Sequence, residues 1–199
     1  MITLSLLTQF VPGQTVTKPD RRVEKQTLVS ETLPEIRLKF GKQFKFAGSQ
    51  EFVLYEKAKA QQYFFVKDEN KRIKSMYMVQ FEGFLHGSAG AYDYDLPRKV
   101  AIGGLEYFAN SEYVPDVSVA AKAVPGSDIA RAVEFLQNKG FTLPASLVYQ
   151  RFVRTLGSEK RNEIIVVYIE ETTAGDPATK DSLLKVLSGK ALKEFKVSK

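Results

Sequence analysis

The sequence predicts an α+β domain, mainly an antiparallel sheet of about seven or eight strands with two helices packed on it. Three observations carry this. Between Glu35 and Leu85, apolar and polar residues alternate with period two, the pattern of half-buried strands. Gly103-Gly104 separates two further strand-like runs. The helical spacings come late, over 128–139 and 177–188, and do not alternate with strands as a parallel sheet requires.

The elements follow in order. Residues 2–11 (ITLSLLTQFV) are apolar but too short to span a bilayer. They read as a first strand or an anchored arm, or as the remnant of a leader if Met1 is not the native start. Residues 12–34 hold three prolines and read as a loose connection, so 1–34 is an arm and linker and 35–199 the domain. Ile36, Leu38 and Phe40 alternate with Arg37 and Lys39. The runs 51–57, 62–67 and 72–85 are rich in aromatic and β-branched residues and form a meander. In the longest run, Ile73, Tyr77, Val79 and Phe81 share one face. The other face mixes Lys74, Gln80 and Glu82 with Met76, Met78 and Phe84, so something half-covers it.

Residues 86–97 (HGSAGAYDYDLP) are a loop. Val100 to Tyr107 is a hairpin, because a type I′ turn needs positive φ at both central residues and Gly-Gly supplies it. Ser127 is a preferred N-cap for 128–139, Asp128 suits its first turn, and Gly140 is placed to end it. Leu143–Leu156 fits either a helix or a strand. A hairpin with 163–170 (EIIVVYIE) across the charged turn 157–162 is favoured. Asp176-Pro177 opens the last helix and Gly189 closes it. The last twenty residues, with six Lys, read as a frayed polar tail.

Composition removes several chemistries. The chain has 199 residues, no Cys, no Trp and one His. Disulfides, cysteine nucleophiles, Cys-ligated zinc and iron–sulfur clusters are therefore excluded, and any His-based catalysis must use His86. Neither a P-loop nor a G-x-G-x-x-G opening a helix is present, so no nucleotide cofactor is expected, and no metal site. The net charge is +6, from 29 Lys+Arg against 23 Asp+Glu. Resolved along the chain, acids interleave with bases, which is a charged, soluble surface rather than a nucleic-acid face. No membrane span is expected. A cytoplasmic location is the expectation and an exported form the alternative.

The functional expectation rests on the aromatics, 14 Phe and 9 Tyr concentrated on the strands. Rings on both faces of a sheet suit a sandwich or a cavity. The expected function is non-catalytic binding of a small apolar or amphipathic ligand, with Tyr63, Phe65, Tyr77, Phe81, Tyr149 and Arg151 as lining. An inward Arg151 would mark an anion site. The first alternative is a hydrolase using carboxylates or His86, oriented by Asp93 or Asp95. The second is a protein-interaction module using an exposed sheet face. Glu163, Glu170 and Glu171 read as solvated strand ends. Ligand identity and oligomeric state are not legible.

Overall fold

Alternating burial along Ile36–Phe40 shows how the layers arise: Ile36, Leu38 and Phe40 point inward while Arg37 and Lys39 face water. The structure is a computed structural model describing residues 20–173 and 177–198, with backbone alone for 177–181. The described residues form eleven strands in two antiparallel sheets and three helices. The small sheet orders β1 (Arg21–Glu24), β2 (Thr27–Ser30), β3 (Ile36–Phe40) and β11 (Phe195–Ser198) as β1-β2-β3-β11. The large sheet contains β4 (Lys45–Leu54), β5 (Ala58–Glu69), β6 (Arg72–Phe84), β7 (Arg98–Ile102), β8 (Leu105–Val114), β9 (Leu147–Leu156) and β10 (Asn162–Glu171). Its order is β4-β5-β6-β10-β9-β8-β7. The helices are α1 (Val117–Ala123), α2 (Asp128–Asn138) and α3 (Pro177–Lys193).

The large sheet is covered on both faces. On one, Leu28, Leu38 and Phe40 of the small sheet, Leu187 and Ala191 of α3, and Phe195 pack on Phe65, Tyr77, Phe152 and Tyr168. Aromatic rings dominate this layer, with Phe40 and Phe65 centred 4.2 Å apart and Phe44 edge-on to Tyr77 at 4.8 Å. The Tyr77 hydroxyl donates to the Ala191 carbonyl at 2.6 Å, tying β6 to α3. On the other face, Ala132 and Leu136 of α2 and Phe141 cover Phe64, Met76, Met78, Ile165 and Val167.

Local signals place these elements. The Ser127 Oγ accepts from the Ala130 amide at the start of α2. At its end, Gly140 takes φ +78° and the Phe141 amide bonds the Leu136 carbonyl, a Schellman closure. Gly103 and Gly104 take φ +58° and +77° in the β7–β8 hairpin. Segment 147–156 is a strand paired along its length with β10.

The structure departs from the sequence reading in five places. Residues 21–30 are a hairpin of two four-residue strands, and β2 pairs with β3, so this stretch belongs to the small sheet rather than to a linker. Segment 117–123 is a helix, capped by Asp116, whose side chain accepts from the Val119 amide at 3.0 Å. Helix α3 runs past Gly189 to Lys193, because burying Leu187 and Ala191 outweighs the ~1 kcal/mol penalty of one internal glycine. The basic end is not frayed: Phe195 and Val197 are buried in β11. Ile73 packs with Met76 and Met78 under α2 rather than beside Tyr77. Asp68 pairs with Ile73 and Lys67 with Ser75, so Lys74 is an extra residue that reverses the alternation. Asp176 and the run 2–11 lie outside the described residues.

Candidate functional site

The face of β6 that mixes polar and apolar residues is where the unusual chemistry lies. Toward its start, Met76 and Met78 sit under α2. Farther along, Gln80 and Glu82 occupy the same face, beside the first turn of α2. Register places Gln50, Gln62 and Gln80 side by side on β4, β5 and β6. Their amides form a single-direction chain. Gln50 Nε2 donates to Gln62 Oε1, Gln62 Nε2 to Gln80 Oε1, and Gln80 Nε2 to Glu82 Oε2, each at 2.7 Å. Gln62 and Gln80 are 0% exposed. Buried amides are tolerated only when satisfied, and the first turn of α2 completes the set. The Asp128 carbonyl accepts from Gln62, and the Arg131 carbonyl from Gln50.

Glu82 lies opposite Glu163 of β10. Two carboxyl groups on adjacent central strands need donors, and residues 85–97, a strap between β6 and β7, provide them. Along it Tyr92, Tyr94 and Leu96 turn inward while Asp93 and Asp95 turn outward. The Tyr92 hydroxyl donates to Glu82 at 2.8 Å and the Tyr94 hydroxyl to Glu163 at 2.7 Å. Glu163 is 2% exposed, so it does not serve as strand-end solvation. Burial pushes its carboxyl up to about 8, with Glu82 and Asp128 adding and the Tyr94 bond and the Arg151 charge opposing. Burial also raises Glu82, against the Tyr92 and Gln80 bonds.

Arg161 holds the first half of the strap. Its guanidinium donates to the carbonyls of Leu85, Ser88 and Gly90 at 3.1, 2.8 and 3.2 Å. Between the strap's start and the β1 end of the small sheet is a cleft of about 340 Å³. Leu33, Phe81, Phe84 and Leu85 line it, together with Arg21, Lys59, His86 and Asn162 and with Glu82 as its acid. The Arg21 guanidinium lies 4.0 Å over the Phe81 ring and donates to Gln61 Oε1 and the Leu33 carbonyl. Its Nε is buried with no acceptor among the described residues, and burial lowers its pKa. Lys59 pairs with Glu51 at 2.8 Å.

The structure disperses the sequence-predicted site residues. Tyr63, Phe65, Tyr77 and Phe81 are buried in the layer facing the small sheet, filled by packed rings rather than left as a cavity. Phe81 alone among them also lines the cleft. Tyr149 and Arg151 are on the opposite face of the large sheet, with Arg151 Nε donating to Asn110 Oδ1 at 2.8 Å. His86 is exposed on the strap and lines the cleft. Asp93 faces solvent beside Lys160 at 3.2 Å, and Asp95 is exposed. Among the described residues, no hydrogen bond links either aspartate to His86. Both faces of the large sheet are covered, so what it exposes is its edges, β4 and β7. Among the described residues, no group of three or more His, Asp or Glu is placed to hold a metal ion. No described helix is long and apolar enough to cross a membrane.

Sequence reasoning missed Arg21, Glu82, Glu163, Tyr92 and Tyr94. The signals were present: a mixed face on β6, and tyrosines alternating with aspartates over 92–95. No family model, curated protein or solved structure matches the chain.

Proposed function

We propose that the protein binds a small amphipathic anion, an aryl or alkyl carboxylate, in the cleft between Arg21, Phe81 and His86. One observation carries the reading: Arg21, with its hydrogen bonding incomplete, lines a cleft that also presents Leu33, Phe81, Phe84 and Leu85. Nε is enclosed, but the Nη2 edge of the guanidinium is exposed and offers a carboxylate a charge-assisted bond. The acceptors that Arg21 has among the described residues are neutral, an amide and a carbonyl, and Asp20 and Glu51 act on its charge only through space. Leu33, Phe84 and Leu85 give the apolar body a surface. The volume, about 340 Å³, lies at the small end of ligand pockets.

Calorimetry with 1-naphthoate and octanoate tests this. At least one probe is expected to bind, Arg21→Gln to weaken it tenfold or more, and Tyr77→Phe, in the packed core, to leave it unchanged. Equal binding of the neutral 1-naphthylmethanol, or of naphthoate by Arg21→Gln, overturns the assignment.

A further inference from the structure

We propose that residues 85–97 are a strap whose second half, carrying Tyr92 and Tyr94, is proton-latched: closed while Glu163 carries a proton and released when it ionises. The latch does not rest on the cleft reading.

The strap is held by few backbone bonds. It joins no strand, and among the described residues its amides make three: Leu85 to the Lys57 carbonyl, Ser88 to Leu85 and Tyr92 to Lys160. Segments with so few internal bonds open locally before the fold does. Side chains do the rest. Arg161 grips the first half, while Tyr92, Tyr94 and Leu96 anchor the second. Two of those three anchors end on carboxyl groups placed opposite each other.

The groups facing Glu163 come from every packed element. Glu82 comes from β6, Tyr92 and Tyr94 from the strap, Arg151 from β9 and Asp128 from the start of α2. That is two further acids against one cation, and Arg151 is already committed to Asn110. Two adjacent carboxyls, Glu163 buried and Glu82 half-buried, do not both ionise cheaply. Opening lets water solvate them.

The sign follows. Glu163 titrates near 8 when closed and returns toward its ordinary value of 4.5 when hydrated. The closed form is therefore favoured at acid pH. Opening gains about tenfold per pH unit between those values and levels off above the higher one. Glu82, also raised by burial, acts in the same direction.

Hydrogen exchange on the full chain, without ligand, tests the latch. Protection factors, which remove the intrinsic pH dependence of exchange, are read for 85–97 and for α2. From pH 5.5 to 8.5 the strap's protection should fall about two-hundredfold while α2 stays protected. Glu163→Gln keeps an acceptor for Tyr94 without the charge, and its strap protection should stay nearly flat. A flat wild-type profile, or an equal fall in Glu163→Gln, overturns the proposal. If Glu163→Gln does not fold, Tyr94→Phe decides: strap protection should drop at pH 5.5 with α2 unchanged, and an unchanged strap refutes the latch.

Discussion

Replacing Gln80 by Met tests whether the amide chain supports the acid pair. The substitution keeps length and approximate volume but removes two hydrogen bonds, one from Gln62 and one to the Glu82 carboxyl. Gln62 Nε2 keeps the Asp128 carbonyl for one hydrogen, but its other, buried hydrogen loses its acceptor. That orphaned donor costs about 1–3 kcal/mol and the lost charge-assisted bond about 1.5–3 kcal/mol. Burying a thioether returns about 1 kcal/mol. The expected net loss is about 3 kcal/mol near neutrality, a Tm decrease of about 6–12 °C for a chain of this size. The Gln80 bond favours the ionised form of Glu82, holding its raised pKa below where burial alone would put it. The variant's Glu82 therefore titrates higher still. Its deficit is largest above that value and shrinks as pH falls and Glu82 becomes protonated in both proteins. Urea titrations followed by far-UV circular dichroism from pH 4 to 9 measure this. A deficit below about 0.5 kcal/mol, smaller than one typical hydrogen bond, refutes the supporting role. So does a larger deficit in acid than at neutrality.

Two further outcomes check the packing. Tyr77→Phe deletes the bond to the Ala191 carbonyl and should cost about 1–2 kcal/mol in chemical denaturation, with the aromatic layer otherwise intact. Gly48 has φ +135°, and a Cβ there would lie 2.9 Å from Phe135 Cζ. Gly48→Ala should therefore lose about 1–3 kcal/mol, and adding Phe135→Leu should recover the contact part but not the backbone part.

The sheet was legible because its signals are local. Gly103-Gly104 specifies its own turn, and Ser127 with Gly140 brackets α2 regardless of what α2 packs on. The errors arose where a partner distant in sequence decides. Phe195 and Val197 look like members of a basic tail until β3 pairs with them. Strict alternation puts Ile73 beside Tyr77, and the extra residue Lys74 appears only once β5 fixes the register. The site was harder still. Tyr63, Phe65 and Tyr77 have pocket-forming chemistry, but whether rings enclose a space or fill it depends on the opposing layer, here the small sheet. Glu163 looks like a solvated strand end because nothing nearby announces that Tyr94, 69 residues away, will cover it.

The arrangement of the small sheet and α3 also bears on synthesis. The large sheet's strands are complete at Glu171, but Leu187, Ala191, Phe195 and Val197, which shield its aromatic face, are made after them. The Tyr77–Ala191 bond spans 114 residues. On the ribosome the nascent chain thus has its strands ready while a layer of Phe and Tyr still faces water. Native closure has to wait for the final helix and strand, so this interval is when the chain is most exposed to self-association and most in need of a chaperone.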